Sequence, residues 1–94
     1  MNEINIGEVY YIIARERGFN NADYLIEIIL PSLPIEIISN SFDQIIDAAR
    51  LKARYPLSFA DCFVIATCIN EKAMILTGDP EFKKVESLIE IEWL

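Results

Sequence analysis

The sequence predicts a single α/β domain over residues 1–94 with a short, mostly parallel sheet, on three observations. Amphipathic helical stripes alternate along the chain with short β-branched runs, and strands that alternate with helices pair in parallel. Prolines and glycines stand singly between these elements, and no repeat, low-complexity tract or linker interrupts them. At 94 residues, 53% hydrophobic and 24% charged, the chain has a globular composition and the length of one domain.

Residues 4–17 set apolar side chains on a broad helical stripe that stops at Gly18, a favoured C-terminal cap. Residues 22–30 repeat the pattern, and Pro31 and Pro34 end it. Residues 34–39 read Pro-Ile-Glu-Ile-Ile-Ser, a β-branched stretch bounded by turn formers, and predict a strand. Ser41 caps a helix over 42–54, with Ile45, Ile46 and Ala49 on one side, which Tyr55-Pro56 terminates. After Ser58, positions 59–69 are apolar except for Asp61 and Thr67, and a helix apolar all round is a buried one. Residues 73–77 predict a buried strand, Gly78-Asp79-Pro80 starts a short helix to about Val85, and residues 88–94 close the chain as a last strand.

Fifteen acidic residues against eight basic ones give a net charge of -7. This excludes a generic phosphate-binding surface and confines any RNA contact to a local patch. Cys62 and Cys68 lie in one predicted helix, about 9 Å apart in rise, beyond the roughly 7 Å Cα limit for a disulfide. They read as free thiols of an intracellular protein. The longest apolar run, residues 9–14, is far short of the ~18 residues that span a bilayer, and the acidic start lacks the basic character of a signal peptide. The expectation is a cytoplasmic protein with no membrane partner. A chain this short buries only about two thirds of its unfolded surface, so its mean hydropathy of +0.29 points to a homo-oligomer that covers apolar surface. No histidine is present, which removes the commonest general base and leaves Ser58 and the cysteines without a histidine to activate them. There is no Gly-rich phosphate loop.

Three carboxylates stand at or near predicted helix starts: Glu8, Asp61 and Asp79. Each has a purely structural explanation. Asn5-Ile-Gly-Glu8 and Ser58-Phe-Ala-Asp61 approximate capping boxes, and Asp79 before Pro80 is an ordinary N-cap with proline at N1. Topology supplies the other reading. In an open α/β sheet, ligands gather at the carboxyl ends of the strands, and Asp79 directly follows the strand ending at Thr77. Asp61 occupies the first turn of an apolar helix, where a carboxylate needs a cleft, a polar partner or a cation. Clustered carboxylates repel one another unless a divalent ion neutralises them, and Mg2+ and Mn2+ prefer all-oxygen sites. Such a constellation suits metal-assisted phosphodiester hydrolysis. Glu8, Tyr11 and Arg15 share a helical face, so Arg15 is either a phosphate contact or an exposed helix-end arginine. Lys83 and Lys84 have the same two readings.

Ser58-Phe-Ala-Asp-Cys-Phe-Val-Ile-Ala-Thr67, followed by Ile75-Leu-Thr-Gly-Asp-Pro-Glu-Phe82, resembles the final part of a PIN domain, as found in the VapC-type toxins of toxin-antitoxin pairs. Ile6-Gly-Glu-Val-Tyr-Tyr11 resembles the family's earlier glutamate helix, and the likeness runs over residues 4–94. The resemblance implies a three-layer α/β/α fold and a Mg2+- or Mn2+-dependent endoribonuclease whose acids hold metal and activate water. It implies RNA as substrate and an antitoxin as partner. The matching acids are Glu8, Asp61 and Asp79, as catalytic and metal-binding residues, with Thr77, Glu81 and Arg15 in support. For Thr77 an ordinary strand role, and for Glu81 an N-terminal helix acid, stay open beside this.

The chain departs from the family in one respect. The family opens with a central strand bearing an aspartate, in a pattern like Leu-Leu-Asp-Thr or Ser, and Met1-Asn-Glu-Ile carries neither. The expected sheet lacks that strand, which would lie between residues 35–39 and 74–77, and the expected nuclease activity is weak or absent. A non-catalytic PIN scaffold used for binding or oligomerisation is the alternative. A small α/β fold in which all three acids merely cap helices is the third reading.

Overall fold

Asn2 opens the first helix. Its side-chain Oδ1 accepts the Ile4 N–H at 2.9 Å, so α1 runs Glu3–Arg17 and Asn5 lies within its first turn. The expected Asn5 to Glu8 capping box is therefore not formed. Gly18 ends α1 at φ 89°, a conformation a glycine adopts without strain, and its N–H returns to the Ala14 carbonyl.

The computed structural model describes residues 1–94, which divide into two units, Met1–Ser39 and Asn40–Leu94. In the first unit, α2 (Phe19–Tyr24) starts directly after Gly18, its first residue Phe19 three before the predicted Ala22. The Asn21 side-chain amide donates to the Arg17 carbonyl at 2.7 Å, satisfying an acceptor that the end of α1 leaves open. This helix runs past Pro31 only to Ser32, and Leu33, extended before Pro34, ends it as expected. The chain widens into a π-helical turn over Leu25–Ile29, with the Leu30 N–H on the Leu25 carbonyl, and continues as α3 (Leu30–Ser32). Moving the hydrogen-bond register from i−4 to i−5 is a recognised way for a helix to take up an irregularity. The predicted strand at 34–39 shrinks to one parallel bridge, Asn2 with Ile38. Two main-chain bonds make it, Ile38 N–H to Met1 O at 2.8 Å and Glu3 N–H to Ile38 O at 2.9 Å. A strand exists only through its partners, and no ladder longer than this bridge joins the segment. Only Asn2 and Ala22 are buried here, while Tyr11, Phe19 and Tyr24 are exposed.

The second unit carries the core. Ser41 and Gln44 form a complete capping box at the head of α4 (Phe42–Arg54): Ser41 Oγ accepts the Gln44 N–H and Gln44 Oε1 accepts the Ser41 N–H. Tyr55, extended before Pro56, ends the helix as expected. α5 (Phe59–Glu71) begins at Ser58, whose Oγ accepts the Asp61 N–H at 3.1 Å. It ends at Lys72, left-handed at φ 53°, and the Ala73 N–H reaches back to the Cys68 carbonyl in a Schellman arrangement. β1 (Ile75–Thr77) pairs in parallel with β2 (Ile91–Trp93), Ile75 opposite Ile91, and the crossover is a 3-10 helix over Pro80–Val85. This parallel pair between helices is the α/β class, in a sheet of two strands.

Ala48 from α4, the Cys62, Phe63, Ile65 and Cys68 face of α5, Phe82 and Val85 from the crossover, and Ile89 make one cluster. Ile65 and Val85 have no exposed surface, and each such burial is worth about 1.5–3 kcal/mol. Both cysteines are free thiols. Two burial expectations are corrected. α5 is not buried all round, since Ile69 is 48% exposed, and β1 is not a buried strand, since Leu76 is 64% exposed. Alternate residues of a strand point to opposite faces, and only the face bearing Ile75 packs on the core.

Candidate functional site

Glu8 lies in the first unit, on the exposed side of α1, more than one turn past the cap at Asn2. No hydrogen bond or ion pair engages its carboxylate. Arg15, two turns further along, is exposed. It lies 3.9 Å from Glu16, and its guanidinium sits over the Tyr11 ring at 5.3 Å.

Asp61 is half-buried in the first turn of α5, where the helix dipole favours a negative charge. Only its main chain takes part in the cap; unlike Gln44, it returns no side-chain bond to the cap residue. The adjoining Cys62 thiol is pushed above its ordinary pKa, mainly by burial, with Lys52 opposing and Asp61 reinforcing the shift. Cys62 is thus a buried, protonated thiol and not a nucleophile.

Asp79 follows β1 and caps the 3-10 helix, its Oδ1 accepting the Glu81 N–H at 2.9 Å, with Pro80 next in line as expected. Its own N–H donates to Thr77 Oγ1 at 3.1 Å. Glu81 pairs with Lys84 within the same helix, which makes both, with the exposed Lys83, ordinary surface charges of a short helix. Asp61 stands at the N-terminal end of α5 and Asp79 just past the C-terminal end of β1, both away along the chain from the turn at Lys72 that joins these two elements.

The donor set is chemically suited to a hard divalent cation, because all three acids offer carboxylate oxygen and no soft ligand competes. In neither unit do three or more cysteine, aspartate or glutamate side chains stand together as a ready-made metal cage. No helix is long and apolar enough to cross a membrane. Outside these acids, a groove on the α4–α5 hairpin is lined by Arg50 and Arg54. Their i,i+4 spacing is the one trace of it in the sequence.

A parallel β-crossover-β unit beside an apolar helix, with acids at the helix head and behind the first strand, defines a small α/β protein with acidic loops at its strand ends. A family model for the PIN domain matches residues 1–88, and the chain belongs to the PIN-domain family. Its fold is thereby of the nuclease type. No curated protein and no solved structure matches the chain.

Proposed function

We propose that residues 1–94 act as one PIN domain of the VapC type, a metal-dependent endoribonuclease in which Glu8, Asp61 and Asp79 are the metal-binding and catalytic acids. The observation that carries the proposal is Asp61. It is a half-buried carboxylate on the most buried helix, and neither capping nor an ion pair accounts for it. Family membership supplies the reaction class.

In this reading Mg2+ or Mn2+, when bound, supplies charge neutralisation at the phosphodiester and a more acidic water. The chain's own residues do the rest. Thr77 fixes the backbone of Asp79 through its hydroxyl, and Asp79 keeps a fixed rotamer by capping the helix behind it. Arg15 is the nearest cation on the Glu8 helix for an RNA phosphate. The net charge of -7 opposes long-range capture of RNA, so recognition is local and salt-sensitive. An antitoxin-like peptide and a second copy of the chain are the proposed partners, and the cytoplasm is the proposed compartment. The family's first aspartate has no counterpart in the residues present, and cleavage is accordingly weak. Asp61→Asn should abolish the Mn2+-dependent cleavage of a labelled single-stranded RNA, and calorimetry should show its Mn2+ heat lost. Cleavage equal in wild type and Asp61→Asn would assign the activity to another protein.

The second reading is a PIN scaffold that binds partners without catalysis. It is favoured by the exposed Phe19, Tyr11 and Tyr24 of the first unit. Under it, light scattering shows a dimer or larger species, and wild type gives no Mn2+ heat.

A further inference from the structure

The four residues 55–58 join α4 to α5, a link of helical-hairpin length, and the two helices pack on each other. Lys52 Nζ fastens it by donating to the Leu57 carbonyl at 2.6 Å. On the outer side of this hairpin lies an open hollow of about 420 Å³. Asp47, Arg50 and Arg54 rim it from one stripe of α4, at i, i+3 and i+7, and Asn70 faces them from α5. Its floor is apolar, made by Leu51 and by Ile69, an isoleucine left 48% exposed.

The charge of this groove runs against that of the chain. Two of only eight cations line it, on a molecule with fifteen acids. Arg50 lies 3.9 Å from Asp47 with both side chains well exposed, a contact that water and salt weaken to little. Arg54 enters none of the ion pairs. Two guanidinium groups one turn apart over an apolar floor complement a carboxylate held beside an apolar side chain, since arginine binds carboxylates through paired N–H donors. They do not complement single-stranded RNA, which is held through aromatic stacking as well as charge; no aromatic residue lines the hollow.

We propose that the α4–α5 groove docks an acidic peptide segment of another protein, its apolar anchor seated on Leu51 and Ile69 and its carboxylates on Arg50 and Arg54. This inference is independent of the ribonuclease reading. The probe is a fluorescein-labelled helical peptide with leucines four apart flanked by glutamates, titrated with the full chain and followed by anisotropy. Saturable binding is expected, absent for the same peptide with glutamines in place of glutamates. Arg50→Gln combined with Arg54→Gln should weaken it about tenfold, equivalent to about 1.4 kcal/mol, with the melting temperature unchanged. Amide shifts of the wild-type chain give a check that needs no variant: the peptide should move residues 50, 54, 69 and 70. Any of four results overturns the proposal: no binding, an affinity that the double variant leaves unchanged, displacement by polyuridylate, or a dimer of the chain alone that the double variant dissociates.

Discussion

Thr77 and Asp79 are tied to each other across Gly78: the Asp79 N–H donates to Thr77 Oγ1 at 3.1 Å. The bond fixes how the chain leaves β1, and with it the aim of the Asp79 carboxylate, which itself accepts from Glu81 at 2.9 Å. Replacing Thr77 by valine removes the acceptor while keeping the shape. The expected loss is about 0.5–1.5 kcal/mol of stability, together with a smaller Mn2+-induced rise in melting temperature; serine at the same position should restore both. A valine variant that melts and responds to Mn2+ like wild type would make Thr77 an ordinary strand residue.

Asp79 has two separable roles. Asparagine retains a capping oxygen and loses the charge, whereas alanine loses both. In EDTA, Asp79→Asn should melt close to wild type and Asp79→Ala should be less stable by about 0.5–2 kcal/mol. With Mn2+ present neither variant should be stabilised. Stabilisation of the asparagine variant by Mn2+ would reduce Asp79 to its cap.

The second unit depends on the head of α4, where Ser41 and Gln44 satisfy each other's main chain. Ser41→Ala should cost about 1 kcal/mol in urea unfolding. Combined with Gln44→Ala, the loss should be less than the sum, because either change already breaks the reciprocal pair. Strict additivity would show that the two hydrogen bonds act independently.

What was legible in the sequence was what short-range chemistry dictates. Ser41, Ser58, Gly18 and Asp79-Pro80 mark their helix ends because a cap is decided within four residues. The strand at 34–39 failed for the opposite reason. Its β-branched residues express a preference for pairing, but pairing is decided by what lies alongside, and only Asn2 does. Pro31 and Pro34 place the end of the second helix to within two residues, at Ser32; the π-helical turn that carries the chain past Pro31 has no sequence signature. In β1 an unbroken apolar run concealed an alternation of burial, with Leu76 facing outward. At the candidate site, the spacing of Ser58 and Asp61 was readable. That the Asp61 side chain does not close the capping box, and that Asn2 displaces Asn5 as the cap of α1, are decided by side-chain conformations that spacing does not encode.

Alkaline pH should destabilise the chain in a specific way. Burial pushes the Cys62 and Cys68 thiols above their ordinary value of 9.0. The Tyr10 hydroxyl, which donates to Asp23, is likewise held above 10.0 by that hydrogen bond. Folded chains thus keep protons that unfolded chains release, and stability falls with rising pH wherever the native state binds more protons. The contribution is complete below about pH 9, the ordinary thiol value, and is lost above it. Cys68→Ala should be less stable than wild type at neutral pH for lost packing, yet its melting temperature should decline less steeply above about pH 9. Equal slopes would show that Cys68 does not contribute to the decline.

The most direct test of the proposed metal site is the melting temperature of the intact chain with and without Mn2+, beside Glu8→Gln, Asp61→Asn and Asp79→Asn. A ligand that binds only the folded state at a hundred times its Kd stabilises it by about 2.7 kcal/mol. The account predicts a rise of that kind in wild type and its loss in all three variants. A wild-type melting curve that Mn2+ leaves unchanged would contradict it.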